Sequence, residues 1–302
     1  MSTRVTKSAD KRSFKSRLVR GDVVKILTRQ SKVHKFDVVI ADPPYNIGKD
    51  FGVTNDNMPL KKYLDWTEEW LGECFRLLAE NGIIYVYGFP EILAHIAVKY
   101  PINRQRWLVW HYTNKTTPSG KFWQRSHESI LCLWESDKAR PVLEIDQIRE
   151  PYTQGYMSNV GKSRASTASR FNGNRKGKAT VYKAHENGAL PRDVLKVPAL
   201  AGGLGASERW FLCHDCGGKV FPPSEIAEHR EHEIFKHPTQ KPMQLTQRLI
   251  ASRINGNDGR TLIPFAGSGS ECVVAKQLGV DWLGVEINPL YVDFARKWMR
   301  RV

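Results

Sequence analysis

Short apolar runs alternate with segments in which apolar residues recur every three or four positions. The runs have the length and continuous hydrophobicity of buried strands, and they lie at 17–21, 36–41, 83–87, 106–110, 130–134, 261–265 and 280–285. The helical spacing predicts amphipathic helices over 59–80, 91–99, 243–250 and 271–278. This alternation predicts an α/β protein in which helices cover a mostly parallel sheet.

Prolines and glycines mark the ends of the predicted helices. Pro59 and Pro242 stand where a helix begins, because proline fixes φ and needs no amide partner in the first turn. Gly279 is placed to cap the helix over 271–278, and Asn81-Gly82 is expected to end the helix that Pro59 opens.

A tetrapeptide after the run at 36–41 carries the most specific chemistry. In Asp42-Pro43-Pro44-Tyr45, the two prolines remove backbone donors, so the local carbonyls can accept hydrogen bonds from an –NH2 group. Asp42 adds a charged acceptor, and Tyr45 offers a flat face on which an extruded nucleobase can stack. The alternative is a simple Pro-Pro turn at the end of a strand.

A second pattern near the end of the chain predicts a βαβ nucleotide unit. Phe265-Ala266-Gly267-Ser268-Gly269 lies between a strand and a helix, and Glu286 ends the next strand, about 20 residues beyond the glycines. An acidic residue at that distance suits a ribose diol. The glycines match Phe-x-Gly-x-Gly and not the complete dinucleotide fingerprint, so the pattern is weak without its strands and helix.

Together with His237-Pro238-Thr239-Gln240-Lys241-Pro242, these motifs resemble the β group of S-adenosylmethionine-dependent DNA amino-methyltransferases, which place the catalytic half before the cofactor half. The resemblance covers 17–135 and 236–302. It implies a permuted, Rossmann-like methyltransferase fold with a mostly parallel sheet and an inserted recognition region. The implied divisions are a basic arm over 1–16, a catalytic half over 17–150, a target-recognition insert over 151–235 and a cofactor half over 236–302.

The resemblance also implies roles for single residues. The target amine would be held by Asp42, Pro43, Pro44 and Tyr45, and S-adenosylmethionine by Asp22, Lys241, Pro242, Phe265, Gly267, Ser268, Gly269 and Glu286. The segment 126–129 matches a family segment, but its residues indicate no particular role. Ile263 departs from the family, which usually carries aspartate there, so a carboxylate beside the cofactor is missing.

The implied reaction is methylation of the exocyclic N6 amine of adenine in duplex DNA by base flipping. Methylation of cytosine N4 is the closest alternative, since both amines present similar hydrogens, but the cytosine enzymes more often have serine at the position of Asp42. A non-catalytic DNA-binding protein that retains the fold is a second alternative, supported only by Ile263. An RNA substrate also stays open, because charge complementary to phosphate does not identify the sugar.

Net charge agrees with a polyanionic partner. The chain has 46 Lys and Arg against 31 Asp and Glu, a formal charge of +15. No acidic residue occurs between 151 and 185, a segment that contains Lys162, Arg164, Arg170, Arg175, Lys176, Lys178 and Lys183. This segment is expected to contact DNA phosphates or to form a solvated loop. Tyr112, Asn114, Phe122 and Trp123 are further candidates for contact with the base or the DNA.

Neither a secretory signal nor an apolar run of membrane-spanning length is evident, so we expect a cytoplasmic protein of bacterial or phage origin. A cognate restriction endonuclease and a homodimer are further expected partners that the sequence leaves open.

Two of the five cysteines predict a metal site. Cys213 and Cys216 form a Cys-x-x-Cys-Gly turn of the zinc-knuckle kind, and His229 and His232 follow it. The predicted structural zinc site therefore has two thiolate and two imidazole ligands, although the spacing between the histidines is one residue shorter than usual. His237 is an alternative ligand, and chance clustering or a redox pair is the competing interpretation.

Overall fold

A computed structural model describes residues 14–53, 56–114, 120–137, 140–164, 179–200 and 208–302. The chain divides into two compact units. The first comprises Met1–Leu143 together with Asp193–Val302, and the second comprises Glu144–Arg192.

The strands, in chain order, are β1 (Arg17–Arg20), β2 (Phe36–Ala41), β3 (Leu78–Gly88), β4 (Gln105–His111), β5 (His127–Leu133), β6 (Ser163–Arg164), β7 (Thr180–Val181), β8 (Val194–Lys196), β9 (Phe211–Cys213), β10 (Lys219–Phe221), β11 (Ile234–Phe235), β12 (Arg260–Ile263) and β13 (Asp281–Glu286). The α-helices are α1 (Val23–Thr28), α2 (Leu60–Leu77), α3 (Pro90–Ala97), α4 (Gln154–Met157), α5 (Met243–Ala251), α6 (Ser270–Gln277) and α7 (Pro289–Arg301).

The first unit is built on an eight-stranded sheet with the order β1-β13-β12-β2-β3-β5-β4-β8. Only β5 runs antiparallel to its neighbours, so the sheet is mostly parallel, as the sequence predicts. The late strand β12 pairs with the early strand β2, with Leu262 opposite Val39. Parallel neighbours end at the same edge of a sheet, so residues that follow β2, β12 and β13 meet there.

The apolar runs become the core of this unit. Val38, Val39, Leu262, Ile263 and Leu283 are completely buried, as expected for strands covered by helices on both faces. Helices α1, α2 and α3 pack on one face, and α5, α6 and α7 pack on the other; each buries its apolar stripe, including Trp70 of α2 and Trp298 of α7.

The expected end of the first long helix was wrong. Helix α2 ends at Leu77, and the chain becomes extended at Leu78. The side chain of Leu78 is buried, and its backbone pairs with that of Phe36. Pairing resumes only at Ile83 opposite Val38, so Asn81 and Gly82 lie in an irregular stretch of β3. The burial of Leu78 against the sheet, a long-range contact, therefore overrides the local helix-stop pattern.

The second unit contains α4 and the two-stranded sheet of β6 and β7. Tyr152 stacks on Tyr156 with ring centroids 4.6 Å apart, and Glu150 pairs with Ala189 through an isolated bridge. Of the basic residues expected to contact phosphate, Lys162, Arg164 and Lys183 are exposed in this unit. Arg170, Arg175, Lys176 and Lys178, like residues 1–13 of the basic arm expected over 1–16, lie outside the described residues.

The expected insert over 151–235 stays a prediction; its residues 151–192 belong to the second unit and those from 193 onward to the first. Among the described helices, none combines the length and apolarity that crossing a membrane requires.

Candidate active site

The ends of β2, β12 and β13 surround a cavity of about 260 Å³. Tyr45 and Gly267, which are more than two hundred positions apart in sequence, both line it. The predicted residues that contact this cavity are Asp22, Asp42, Pro43, Pro44, Tyr45, Lys241, Phe265, Gly267, Ser268 and Glu286. The two halves of the predicted site therefore share one space.

Two predicted residues lie behind the cavity wall. Pro242 caps the start of α5, consistent with its expected position before a helix. Gly269 has φ +84°, and a Cβ added there would come within 2.5 Å of the Cβ of Ala295 in α7. Glycine is required at 269 because the turn needs this left-handed conformation and because α7 approaches closely.

Asp42 is held by two side chains. Its Oδ2 accepts a hydrogen bond from Lys241 Nζ at 2.8 Å, and its Oδ1 accepts one from the Tyr45 hydroxyl at 2.9 Å. Burial raises the pKa of Asp42 above its usual value, although the Lys241 ammonium opposes this shift. Burial would lower the pKa of Lys241, but the carboxylates of Asp42 and Glu128 outweigh it and raise that pKa. Lys241 is therefore a cation beside an unusually basic carboxylate.

Glu128 is a site residue whose role sequence analysis did not identify. Its Oε2 is 2.7 Å from the Tyr45 hydroxyl, and its Oε1 accepts a hydrogen bond from Tyr112 at 2.7 Å. Burial and the two neighbouring carboxylates raise the pKa of Tyr45 well above its ordinary value, so its phenol stays neutral. One phenolic proton serves two carboxylates, and Tyr45 can donate it to either Asp42 or Glu128.

The loop after Tyr45 is fixed by a buried carboxylate. Asp56 accepts hydrogen bonds from the backbone amides of Asn46, Ile47 and Lys49 at 2.6–3.2 Å. Asn46 adopts φ +58°, a left-handed conformation that asparagine tolerates better than most residues. Because the three amide bonds fix residues 46–49, this loop forms a stable wall of the cavity.

The turn of the tetrapeptide has a second anchor. The carbonyl of Pro44 accepts a hydrogen bond from the hydroxyl of Tyr63, which is buried in α2. This bond gives Pro44 a structural part in the turn, and acceptance of an amine by the carbonyls of Pro43 and Pro44 stays a prediction.

The opposite wall has the features of a nucleoside site. Glu286 Oε2 accepts from the amide of Gly267 at 2.8 Å, and its Oε1 accepts from the amide of Asn288 at 2.7 Å. Burial raises the pKa of Glu286, although these amides oppose the shift. A carboxylate has about four lone-pair sites, so two ribose hydroxyls can still be accepted. Gly267 has φ +49°, and a Cβ there would meet the His237 ring at 2.9 Å.

Other groups complete this wall. Asp22 lines the cavity and caps α1 by accepting from the amide of Lys25. Phe265 packs edge-on against Trp66 and Trp70 with centroids 5.6 Å and 5.1 Å apart. These residues, with the glycine turn and Glu286, fit an adenosyl group of the kind that the resemblance implies.

Glu271 is a second carboxylate that sequence analysis missed. It lies in the first turn of α6, is 4% exposed, and accepts a hydrogen bond from the Ser270 hydroxyl at 2.8 Å. Burial, followed by the charge of Asp42, raises the pKa of Glu271 to about 7. It lines the same cavity as Glu286, whereas Ile263 is fully buried in the apolar core. In the sequence, the only indication of this role was that Glu271 is a charged residue in a predicted helix with mostly apolar positions.

A second cavity of about 170 Å³ adjoins the first and shares Tyr45 and Lys241 with it. Its wall includes the aromatic side chains of Tyr45, Phe89, Trp110 and Tyr112, together with the charged groups of Arg125 and Glu128. The guanidinium of Arg125 lies over the Phe89 ring at 4.2 Å.

The remaining candidates for base or DNA contact differ in their surroundings. Asn114 exchanges two hydrogen bonds with the backbone of Ala199, which gives it a structural role. Phe122 and Trp123 are 80% and 87% exposed, so their rings face solvent.

The four predicted metal ligands come together away from these cavities. The ligand atoms of Cys213, Cys216, His229 and His232 all lie within 4.8 Å of one another. His237 lies apart from them: it is buried, packs edge-on against Tyr291 at 4.5 Å and lines the first cavity. Burial, with nearby cations, lowers the pKa of His237 to about 3, so its ring is neutral.

Comparison with known proteins identifies the family. The family model described as DNA methylase matches residues 36–297. Type II methyltransferase M.HpaI of Haemophilus parainfluenzae is 29% identical over 288 residues, which cover 93% of this chain and 73% of that protein. DNA adenine methyltransferase YhdJ of Escherichia coli (strain K12) is 25% identical over 279 residues, which cover 91% and 79%.

Solved structures are similar in fold. The PvuII DNA methyltransferase (cytosine-N4-specific) matches with a TM-score of 0.59 and 14% identity, over 94% of this chain and 86% of that one. The putative DNA modification methylase TTHA0409 of Thermus thermophilus, complexed with S-adenosyl-L-methionine, matches with a TM-score of 0.52 and 18% identity, over 95% of each chain. The expected Rossmann-like methyltransferase fold is therefore confirmed.

Proposed function

Because the chain belongs to the DNA methylase family, whose model matches most of its length, we propose that it methylates the N6 amine of adenine in duplex DNA with S-adenosylmethionine as methyl donor. One observation carries this proposal: Asp42 and Tyr45 line the same cavity as Gly267 and Glu286. The target amine and the donor would meet in that cavity.

The target base would enter from the second cavity. Its aromatic wall suits stacking of a base taken out of the duplex, and Tyr45 stands between the two cavities with its hydroxyl held by carboxylates. Stacking on this face brings the exocyclic amine to Asp42. Lys241 and Tyr45 each donate to one oxygen of Asp42, and the remaining lone pairs of the carboxylate can accept from the amine.

Asp42 would then activate the amine. The lone pair of an exocyclic amine is delocalised into the ring, so the group is a poor nucleophile. Hydrogen bonds from its two N–H groups to Asp42 and the Pro43 carbonyl would draw the nitrogen toward tetrahedral geometry and localise that pair. The donor supplies an electrophilic methyl group bound to a sulfonium, so alignment of the amine is the main task of the protein. The raised pKa of Asp42 suits it to accept the proton that leaves the methylated nitrogen.

The other wall would hold the donor. Glu286 would accept the ribose hydroxyls, while Asp22, Phe265 and the turn from Gly267 to Gly269 would surround the adenosyl group. Lys241 and Pro242 would flank its methionine part. Glu271 would supply a carboxylate toward the cationic part of the donor, in place of the one missing at Ile263.

The choice of adenine rests on Asp42 and on the similarity to an adenine methyltransferase. The formal charge of +15, the exposed basic residues of the second unit and the exposed Trp123 support binding to DNA. A relative named as a type II methyltransferase supports a role beside a restriction endonuclease. A homodimer stays a prediction.

The decisive experiment measures modified nucleosides. The chain is expressed in cells that lack other DNA methyltransferases, and their DNA is digested and analysed by mass spectrometry. We expect N6-methyladenine, and much less of it from cells expressing Asp42→Ala. N4-methylcytosine would instead establish the alternative substrate. If neither nucleoside forms and calorimetric titration shows that the purified chain does not bind S-adenosylmethionine, the chain is a DNA-binding protein that retains the fold without the reaction.

A further inference from the structure

A small three-stranded sheet outside the cavities carries two cysteines and two histidines. Strand β9 pairs with β10 on one side and with β11 on the other, and Cys213 ends β9. Cys216 lies in the turn between β9 and β10, and both histidines lie between β10 and β11. We define residues 208–235 as the knuckle.

The distances between the four ligand atoms match a tetrahedral metal site. The sulfur-to-Nδ1 distances are 3.4 Å for Cys213–His232, 3.4 Å for Cys216–His232 and 3.6 Å for Cys216–His229, and the two Nδ1 atoms are 3.3 Å apart. Around a zinc ion with normal bond lengths, a tetrahedron has sulfur–nitrogen edges of about 3.6 Å and a nitrogen–nitrogen edge of about 3.3 Å. Four of the six edges therefore have the lengths that one tetrahedral ion requires, and all six are within 4.8 Å.

The surroundings of the histidines favour a metal over a hydrogen-bond network. His229 is 2% exposed, its ring stacks on Phe221 at 4.0 Å, and its Nε2 has no partner among the described residues. Its Nδ1 is the engaged nitrogen, and it faces the sulfur of Cys216 and the Nδ1 of His232. Burying an imidazole in this way is costly unless the engaged nitrogen makes a strong bond.

Glu225 and Glu228 form an acidic group beside His229 that could also hold a metal ion. Glu225 lies 2.9 Å from Lys219 Nζ and 2.8 Å from Arg301 Nη2, so its carboxylate is paired with cations. The turn that follows Cys216 is tight, because Gly217 and Gly218 have φ +64° and +77°. This conformation lets the backbone fold around the sulfurs.

The geometry points to a structural Zn²⁺ ion bound by Cys213, Cys216, His229 and His232, which fixes the segment that leads to Lys241. Two thiolates neutralise the ion, so the site adds no net charge. The strands of the knuckle have only two or three residues, which is too few for independent stability. The metal ion therefore stabilises the knuckle by linking its segments.

The knuckle is connected to the first cavity through β11. Ile234 pairs with Cys213, and the next residue, Phe235, stacks on Tyr291 of α7 at 5.6 Å. Tyr291 also contacts His237, whose ring touches the Gly267 turn. An ion that holds β11 against β9 therefore sets the position of the residues just before Lys241.

Metal analysis of the purified full-length chain tests this proposal without reference to methyl transfer. We expect about one zinc per chain, and replacement by Co²⁺ should give the visible absorption of a tetrahedral site with thiolate ligands. Cys216→Ser should lose most of the metal. His214→Gln is the matched control, because His214 lies inside the same turn but outside the ligand set, and it should keep the metal.

Hydrogen exchange tests the structural role. After removal of zinc by a chelator, amides in 234–242 should exchange at least about tenfold faster, and those in β2 and β12 should be unchanged. A chain purified with zinc present that contains less than about a tenth of an ion overturns the metal site. A disulfide between Cys213 and Cys216, or equal metal loss in His214→Gln, overturns it as well. Unchanged exchange in 234–242 after zinc loss overturns the fixing role.

Discussion

Lys241 Nζ lies 2.8 Å from Asp42 Oδ2, although 199 positions separate the two residues. The lysine side chain is 5% exposed and the aspartate side chain 15% exposed, so this ion pair is formed away from bulk water. Glu128 and Glu271 add further negative charge near the same ammonium. Lys241 therefore neutralises a group of buried carboxylates and orients the one that would accept the target amine.

Lys241→Met is expected to lower methyl transfer at least about tenfold and to move the acid limb of its pH profile upward. The ammonium lowers the pKa of Asp42, so its removal lets Asp42 take up a proton at a higher pH and lose its charge as an acceptor. The measurement is the rate of transfer between pH 5 and pH 9. Lys236→Met, at an exposed position, is the control. An acid limb at the same pH in both variants would contradict the role of Lys241.

Asp42→Ala is expected to leave binding of S-adenosylmethionine measurable while methyl transfer falls at least about a hundredfold. Asp42 contacts the amine in the proposed mechanism, whereas Glu286 and the glycine turn hold the donor. Calorimetry gives the affinity, and transfer of radioactive methyl groups to DNA gives the rate. Asp65→Ala, on the exposed face of α2, should behave as the natural chain does. Near-normal turnover of Asp42→Ala would remove this residue from the mechanism.

Affinity for S-adenosylmethionine should rise about tenfold between pH 6 and pH 8 because of Glu271. Burial raises its pKa from 4.5 to about 7, so the free site is mostly protonated below that pH and mostly ionised above it. A cationic ligand favours the ionised carboxylate, so the affinity increases as the pH rises. Glu271→Gln should abolish the dependence, and Glu69→Gln, at an exposed position of α2, should retain it. Equal slopes in both variants would exclude Glu271 as the titrating group.

Gly269→Ala should destabilise the fold more than Gly256→Ala. Both glycines have left-handed φ, +84° and +73°, so both variants should lose about 1 kcal/mol of unfolding free energy from backbone strain. Only at Gly269 would the new methyl group collide with Ala295, which should add about 1–3 kcal/mol. Urea unfolding measures both variants, and equal losses would mean that the contact with α7 relaxes without cost.

Trp123→Ala should weaken binding to duplex DNA about tenfold without changing the thermal unfolding temperature. The ring is 87% exposed, so it contributes little to the core, whereas stacking of a base on such a ring is worth about 1–3 kcal/mol. Fluorescence anisotropy with labelled DNA gives the affinity. Ile102→Ala, which removes another exposed apolar side chain, is the control. Equal affinities for the two variants would place Trp123 outside the DNA contact.

Much of this site could be predicted from the sequence because its motifs are local. The prolines after β2, the glycine turn before α6 and the acidic end of β13 each follow from residues within a few positions of one another. The four proposed zinc ligands also fall within twenty residues, and their spacing was enough to select them. Only the structure excluded His237 as an alternative ligand, because its ring packs against Tyr291.

The contacts between distant residues of the site were determined only by the tertiary structure. The pairing of β2 with β12 brings Lys241 to Asp42 and Glu271 into the shared cavity, and the pairing of β2 with β3 and of β3 with β5 brings Glu128 to Tyr45. None of these contacts has a local sequence pattern. The burial of Leu78 likewise ended α2 before its expected stop. Local steric preferences are encoded by adjacent residues, whereas burial and the electric fields that shift pKa values arise only when distant segments pack together.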